Sequence, residues 1–422
     1  MPSSPVVELT APHALRVVID LRPLQEPDRS PLTAAYLRDL LRAFAAEPVE
    51  GETFVAVLSL GLPDPTESVP GLPVVGRRWL PPSKRLGAGA MTLDPFLLRG
   101  ATIRAGERSD RAAVYHVAGT SLPLAPGMPL VATVLDLAPW ELPGVYQASP
   151  AARFGERLRA RMLRDAATVI VGTHAVARTA ARTLHLRPDR IRVIPLAANP
   201  ALSALRDDPQ VFSAVLSREI QRLDLPDRYF VTLGRYDARA DMPTLLDALA
   251  LLDRRGRPTG LPADCLWPPA VALAGASAQD KAALARATAR RGLGGRLVYL
   301  PAIPPDRLAT LIAGARGALR PSVSDAAGWS ALEAIACGTP VIASAVGALP
   351  EIVGAAGVLV EARDPARLAR ALEAVWCDDA LNGQLRAAAA AVQARWPTWS
   401  DVARQTRAVY AAASLASRAP SL

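Results

Sequence analysis

Short apolar stretches alternate with longer amphipathic stretches along the whole chain. The short stretches are rich in valine, isoleucine and leucine, which is typical of buried strands. In the longer stretches apolar residues recur every three or four positions, which predicts helices that bury one face. The predicted strands are Leu15–Asp20, Phe54–Leu58, Val114–Val117, Val131–Val134, Val169–Val171, Ile191–Ile194, Tyr229–Leu233, Val271–Ala274, Leu297–Leu300, Ala318–Pro321, Val341–Ala343 and Val358–Val360. The predicted helices include Thr33–Ala45, Val211–Arg222, Met242–Asp253, Asp280–Arg291, Pro305–Ala315 and Pro365–Ala374.

Strands that alternate with helices of this kind predict an α/β protein with parallel, doubly wound sheets. The strands suffice for two such sheets, so we expect two Rossmann-like domains, residues 1–205 and 206–395. A ligand then lies in the crevice outside the carboxyl ends of the strands. The helix predicted over Trp399–Ser414 belongs to no strand–helix unit, so residues 396–422 form a separate C-terminal segment. Residues 59–112, rich in Pro, Gly and Arg, have poor periodicity and predict long loops.

Composition and charge narrow the class of protein. Half of the 422 residues are hydrophobic and 21% are charged, as in a folded, water-soluble chain. No apolar run approaches the ~20 residues that span a bilayer. The net charge of +9 comes almost entirely from arginine, without basic runs interleaved with aromatic residues, so nucleic-acid binding is not expected. The three cysteines match no metal-binding spacing, so we expect no metal site, and free thiols indicate the cytoplasm.

Positive charge is concentrated in one part of the first half. Ten arginines and three acidic residues lie between Arg153 and Arg192. Five of the arginines share one predicted helix with apolar residues. The arginines are Arg153, Arg157, Arg159, Arg161 and Arg164, and the apolar residues are Phe154, Leu158, Met162 and Leu163. One interpretation is a helix that packs its apolar side on the sheet and leaves its arginines in water. The alternative is reversible docking to an anionic membrane, which would place the protein on the inner membrane face.

The segment 320–340 carries the strongest chemical indication, and it reads R-P-S-V-S-D-A-A-G-W-S-A-L-E-A-I-A-C-G-T-P. A strand is followed by a loop with Asp325 and Gly328. A helix begins near Trp329–Ser330, and we place Glu333 in its first turn. Amides at a helix start point outward, where the helix dipole favours an anion such as phosphate. A carboxylate in that turn is an acceptor suited to ribose hydroxyls.

This segment resembles the donor-binding motif of the retaining, two-domain (GT-B) glycosyltransferases of "group 1" type, which use nucleotide sugars. Their pattern reads roughly Pro-Ser-x-x-Glu-Gly-x-Gly-x-x-x-x-Glu-Ala-x-Ala-x-Gly-x-Pro-Val-Ile. Further matches follow the family order at Leu233–Arg235, Pro243–Leu249, Leu297–Pro304 and Ala348–Glu351. The resemblance is specific from about residue 229 to 375 and weak before residue 130. It implies two Rossmann-like domains that face a central cleft, with the C-terminal helix crossing back to the first domain.

The resemblance also implies roles for single residues. Arg235, which follows Gly234, matches the arginine that binds the donor diphosphate, and a guanidinium suits bidentate contact with phosphate. Glu333 matches the carboxylate that binds the ribose. The implied catalytic residues are Asp325, at the position that contacts the transferred sugar, and Asp136, from the Thr-x-His-Asp stretch. The residues implied to hold the distal phosphate are Gly328, Trp329 and Ser330.

Four departures from the family pattern fall on the chemistry. Asp325 is one methylene shorter than the family's glutamate. Ala240 replaces a lysine that would contact the leaving diphosphate, and Arg239 beside it is the candidate substitute. Leu135 replaces the histidine that precedes the aspartate. The first strand–helix loop is glycine-rich in the family, whereas Ser30–Ala35 offers side chains instead.

These departures leave two hypotheses open. In the first, the chain is an active hexosyl-type glycosyltransferase that moves a sugar from a nucleotide sugar to an acceptor hydroxyl with retention of configuration. The resemblance implies no metal and no cofactor beside the donor substrate, and the acceptor is a glycan, a lipid-linked sugar or a small molecule. In the second, the chain is a catalytically silent scaffold that binds nucleotide sugars or serves as a regulatory or partner subunit.

Overall fold

The computed structural model describes residues 15–81, 98, 112–119, 122–124, 126–202, 209–234, 236–263 and 265–416. Within these residues the chain forms two parallel sheets with helices packed on both. The two-domain, doubly wound α/β architecture predicted from the alternation of elements is confirmed. No helix in this part of the chain is long and apolar enough to cross a membrane.

The N-terminal sheet has seven described strands in the order β3-β2-β1-β4-β5-β6-β7, all parallel. The first strand, β1, lies inside the sheet between β2 and β4, as expected where a chain winds outward first to one side and then to the other. The strands are β1 (Leu15–Asp20), β2 (Thr53–Ser59), β3 (Val74–Leu80), β4 (Ala112–Val117), β5 (Leu130–Thr133), β6 (Thr168–Val171) and β7 (Ile191–Val193).

The strand β3 corrects the expectation of loops throughout residues 59–112. It forms one edge of the sheet and pairs only with β2 among the described strands. Its residues alternate between exposed and half-buried, with Val75, Arg77 and Trp79 on the exposed side. An edge strand with a polar, glycine-containing sequence lacks the continuous apolar run of a central strand, so the periodicity did not indicate it.

The C-terminal sheet has six described strands in the order β10-β9-β8-β11-β12-β13, again parallel. Three of its four inner strands, β8, β9 and β12, are fully buried and mostly apolar, in keeping with a parallel sheet covered on both faces. The strands are β8 (Phe230–Leu233), β9 (Val271–Ala274), β10 (Leu297–Tyr299), β11 (Gly317–Arg320), β12 (Val341–Ser344) and β13 (Gly357–Val360).

Helices cover both sheets and connect their strands. The described helices are α1 (Arg22–Gln25), α2 (Pro31–Ala46), α3 (Ala138–Glu141), α4 (Pro143–Tyr146), α5 (Pro150–Asp165), α6 (His174–Leu184), α7 (Pro209–Arg222), α8 (Met242–Arg255), α9 (Ala278–Ala289), α10 (Pro305–Gly314), α11 (Trp329–Ala336), α12 (Leu349–Val353), α13 (Pro365–Cys377), α14 (Asp379–Gln393) and α15 (Trp399–Ala416). Along the chain, the last strand of the first sheet ends before residue 194 and the first strand of the second sheet begins after residue 229. The predicted domain limits at residues 205 and 395 remain predictions.

The C-terminal helix α15 packs on the N-terminal domain, against α2 and β4, so the predicted crossover is confirmed. Its Tyr410 hydroxyl lies 2.6 Å from His116 Nδ1, and His116 Nε2 lies 2.9 Å from Thr133 Oγ1. These groups are fully buried, and burial lowers the pKa of His116 to about 3, so the imidazole is neutral. At the helix start, the Trp399 indole donates to the carbonyl of Ala198 at 2.9 Å.

Candidate functional site

A cleft of about 480 Å³ lies where the carboxyl ends of the two sheets meet. Its walls come from residues that directly follow strands β4, β5, β8 and β11 and from the start of α2. The site residues predicted from the sequence that line it are Asp136, Gly234, Arg239, Asp325, Trp329, Ser330 and Glu333. Gly328 lies beside the cleft, and Arg235 lies outside the described residues. Both halves of the chain therefore contribute to one cavity, in the crevice where this sheet topology places ligands.

The start of α11 forms the centre of the C-terminal wall. Gly328 caps this helix in the left-handed conformation, with φ of +59°. A Cβ at this position would lie 2.3 Å from Cδ1 of Ile352 and would displace the end of that side chain, and the positive φ itself favours glycine. The amides of Trp329 and Ser330 in the first turn have no helix carbonyl to bond, and they provide the helix-dipole end at the cleft.

Asp325 is buried and holds the loop before α11 in place. Its Oδ1 accepts a 2.7 Å hydrogen bond from the amide of Gly328. Its Oδ2 accepts a 2.7 Å hydrogen bond from Nε of Arg320, the last residue of β11. The Gly328 amide, predicted to bind phosphate, is therefore already used within the loop. The carboxylate predicted to contact the sugar is likewise bonded at both oxygens.

Glu333 lies one turn farther along α11 than predicted. The helix begins at Trp329, so Glu333 is its fifth residue and belongs to the second turn, not the first. The side chain is half-buried at the cleft. Burial, with a smaller contribution from nearby Asp39, raises its pKa to about 7, although the Trp329 and Arg38 side chains oppose the shift. A carboxyl group of this kind exchanges its proton near neutral pH.

Arg239 joins the two walls of the cleft. Its Nη1 lies 2.9 Å from Oδ2 of Asp136 in the N-terminal wall, and its Nη2 lies 2.6 Å from Oδ2 of Asp237. Its Nε also donates to Asp237. A second bond across the cleft joins the hydroxyl of Ser324 to the carboxylate of Glu141. Arg239 thus binds two carboxylates in this structure, which differs from the expectation that it replaces the missing lysine as a phosphate contact.

The N-terminal wall differs from the glycine-rich loop of the family pattern. It contains Ser30, Pro31 and Thr33 from the start of α2, together with Leu135 and Asp136 after β5. Leu135 is 5% exposed, and its apolar side chain has no hydrogen-bonding group to offer a sugar. Asp136 Oδ1 accepts from the amide of Ala138 at 2.9 Å, which fixes the second predicted catalytic carboxylate at the start of α3.

Comparisons with known proteins decide the family. The model described as "Glycosyl transferases group 1" matches residues 227–378, and "Glycosyl transferase 4-like domain" matches residues 33–197. The D-inositol 3-phosphate glycosyltransferase of Arthrobacter sp. (strain FB24) is 30% identical over 394 residues, which cover 90% of this chain and 89% of that protein. This chain belongs to the group 1 glycosyltransferases. A further relative, D-inositol 3-phosphate glycosyltransferase 1 of Catenulispora acidiphila, is 28% identical over 433 residues, 96% of this chain and 97% of that one.

Solved structures agree on the fold of this glycosyltransferase. Sucrose-phosphate synthase from Thermosynechococcus elongatus superposes with a TM-score of 0.71 at 21% identity, covering 95% of this chain and all of that one. Anabaena Alr3699/HepE, solved in complex with UDP-glucose, superposes with a TM-score of 0.68 at 17% identity, covering 94% and 99%. At these identities the likeness establishes the fold, and the resemblance noted in the segment 320–340 is confirmed at the level of the family.

Sequence reasoning missed two arginines of this glycosyltransferase. Arg320 extends from β11 into the cleft, and its Nη1 lies 3.4 Å from the carbonyl of Leu233 and beside Gly234. Arg159 of α5 also lines the cleft and is 6% exposed. A charged residue at the carboxyl end of a buried strand could have indicated Arg320. Nothing local indicated Arg159, because arginine on an amphipathic helix is usually solvated.

The exposed side of α5 also differs from the expected pattern. Phe154, expected among the apolar residues between the arginines, is 57% exposed, whereas Arg159 is buried. Arg153, Arg157 and Arg161 are exposed. The docking of this helix to anionic lipid remains a prediction.

Proposed function

We propose that this glycosyltransferase moves a sugar from a nucleoside diphosphate sugar to an acceptor hydroxyl, with retention of configuration and without a metal. The observation that carries the proposal is the start of α11, which opens into the cleft with Arg320 beside it. An amide-lined helix start next to a guanidinium suits a diphosphate, because both favour negative charge. Glu333, farther along the same helix, suits the ribose hydroxyls.

The reaction that we propose breaks the bond between the anomeric carbon and the diphosphate oxygen. The acceptor oxygen forms its bond to the same face of the sugar, and the hydroxyl proton passes to the departing phosphate. The chain's part is to hold the donor and to stabilise the charge that grows on the diphosphate. We assign that role to the amides of Trp329 and Ser330 and to the guanidinium of Arg320.

The acceptor is proposed to be a polyol or sugar hydroxyl that lies against the N-terminal wall. The relatives named above are D-inositol 3-phosphate glycosyltransferases, and the family models match both halves of this chain. The N-terminal wall supplies hydroxyls at Ser30 and Thr33 and the carboxylate of Asp136, which are groups that bind sugar hydroxyls.

A donor screen tests the proposal. Purified protein is incubated with UDP-, GDP- and ADP-linked sugars, with inositol and simple sugars as acceptors, in EDTA. We expect release of one nucleoside diphosphate and a product whose anomeric configuration, read by NMR coupling constants, equals that of the donor. Inverted configuration would contradict retention, and activity lost in EDTA but restored by a divalent cation would contradict metal independence.

A silent scaffold is the second candidate, and one observation favours it. Leu135 has replaced the histidine, while both predicted catalytic carboxylates are bonded to other groups, Asp325 to Arg320 and Asp136 to Arg239. Loss of one stabilising donor typically lowers rates by about 10²–10³. Binding of a nucleoside diphosphate by calorimetry without any turnover in the screen would select this candidate.

A further inference from the structure

Arg159 is a cation buried at the wall of the cleft. Only 6% of the residue is exposed, and its guanidinium carbon lies 4.7 Å from the centre of the Trp140 ring. This contact stabilises the guanidinium at that position, because the ring face attracts a cation. The helix α5 supplies the arginine and the neighbouring helix α3 supplies the tryptophan, so the position is set by packing and not by a flexible loop.

The carboxylates around Arg159 do not satisfy it. Its Nε and Nη1 are buried and have no hydrogen-bond partner among the described residues. Arg159 forms an ion pair with Glu156, but Oε2 of Glu156 lies 3.7 Å from Nη1, which is beyond hydrogen-bond distance. Asp136 is also close, but its Oδ1 accepts from Ala138 and its Oδ2 from Arg239. The near carboxylates are therefore either too far away or bonded to other groups.

An arginine in this state is costly for the fold. Burial lowers the pKa of Arg159 and raises that of Glu156, because water solvates both charges poorly there. Buried polar groups in folded proteins nearly always have partners, and an exception calls for an explanation such as a ligand. Since Arg159 lines the cleft, an oxyanion that entered it would give the guanidinium the acceptors that it lacks.

We propose that Arg159 recognises an oxyanion on the acceptor, a phosphate or a carboxylate, and so selects acidic polyols or sugars over neutral ones. We assign the oxyanion to the acceptor and not to the donor because Arg159 belongs to the N-terminal wall. The donor diphosphate is assigned to the start of α11 on the opposite wall. The inference rests on the proposed function and adds to it the chemical class of the acceptor.

Equilibrium binding tests the inference without requiring turnover. Isothermal titration of the full chain at ~0.15 M salt, which screens exposed charges, compares D-inositol 3-phosphate with inositol and glucuronate with glucose. We expect at least one acidic probe to bind about 10- to 150-fold more tightly than its neutral counterpart, the range for a hydrogen bond to a charged group. The inositol pair tests recognition of a phosphate, and the glucose pair tests recognition of a carboxylate.

Variants on the same helix assign the effect to one side chain. Arg159→Gln should abolish the preference for the acidic probe, and Arg159→Lys should retain part of it. Arg161→Gln makes the same charge change at an exposed position of α5 and should bind as the wild type does. Should Arg159→Gln fail to fold, the double variant Glu156→Gln/Arg159→Gln removes both buried charges and should likewise lose the preference.

Several results would overturn the inference. They are equal affinity of the wild type for acidic and neutral probes, absence of saturable binding of every probe, and a folded Arg159→Gln that keeps the preference. The proposed function fails separately, when no nucleoside diphosphate binds and no nucleotide sugar is turned over. Acidic-probe binding to Arg159 in a protein without donor turnover would retain the oxyanion site and reject only the transfer reaction.

Discussion

Arg320 provides the most direct test of the donor side of the cleft. Its Nε is bonded to Asp325, whereas Nη2 has no partner among the described residues and Nη1 makes only a 3.4 Å contact with the Leu233 carbonyl. We therefore expect the free N–H groups to bind the donor diphosphate. With Ala240 at the position of the family's lysine, Arg320 supplies the positive charge beside the start of α11.

The expected size of the effect follows from the bonds that would be lost. A hydrogen bond between charged groups contributes about 1.5–3 kcal/mol, so Arg320→Leu should weaken nucleoside diphosphate binding by about 10- to 150-fold. The free nucleoside, which carries no phosphate, should bind with little change. Stability should also fall, because the Asp325 carboxylate, 6% exposed, then keeps only the Gly328 amide. We expect the free energy of unfolding to fall by about 2–3 kcal/mol, which is less than the 3–5 kcal/mol typical when one partner of a fully buried pair is removed.

Titration calorimetry with UDP, GDP and ADP on folded protein measures the binding, and urea unfolding measures the stability. Arg290→Leu, an exposed arginine of the same domain, is the matched control and should change neither quantity. If Arg320→Leu bound the diphosphate within twofold of the wild type, the guanidinium would serve only to hold Asp325, and the diphosphate would have to be bound by other groups.

Three further predictions concern proton binding and packing. Glu333 has a folded pKa of about 7 against 4.5, so the folded state binds its proton more tightly and stability falls as pH rises between these values. Relative to Glu333→Gln, unfolding free energies of the wild type should fall by at most about 3 kcal/mol from pH 4.5 to 8, and parallel pH curves would contradict this. Gly347→Ala should destabilise by more than about 2 kcal/mol in urea, since its Cβ would lie 2.0 Å from a backbone oxygen; Gly354→Ala, with a similar positive φ but open space, should cost about 1 kcal/mol. Tyr410→Phe should lower the free energy of unfolding by about 1–2 kcal/mol because Nδ1 of the buried His116 loses its partner, and an unchanged melting temperature would refute that role.

The elements of the fold were predictable because burial imposes a periodicity on the sequence. Interior strands such as β1 and β9 contain buried apolar runs, and helices such as α8 bury one face, so their patterns identified them within a few residues. The edge strand β3 was missed because only one of its sides packs on the protein. Local sequence patterns therefore identify interior strands and helices more reliably than they identify edge strands.

The site was predictable where it depends on one loop and not where it depends on contacts distant in sequence. The loop at Asp325 and the helix start at Gly328 could be placed from adjacent residues. The bond of Arg239 to Asp136 joins positions 103 residues apart, and the stacking of Arg159 on Trp140 joins two helices. Charge pairing of that kind depends on how the walls of the cleft approach each other, which no local pattern contains.

The chain passes between the two domains twice, once after β7 and once before α15, and these two connections lie side by side. The indoles of Trp396 and Trp399 donate to the carbonyls of Leu196 and Ala198, so the outgoing and returning segments are bonded to each other. Two adjacent connections restrain the domains at one place, so we expect any rotation of one domain against the other to turn about them. The Trp329 ring, at the start of α11, lies 5.8 Å from the Trp399 ring beside these connections. A ligand bound at the start of α11 therefore lies next to the segments that link the two domains.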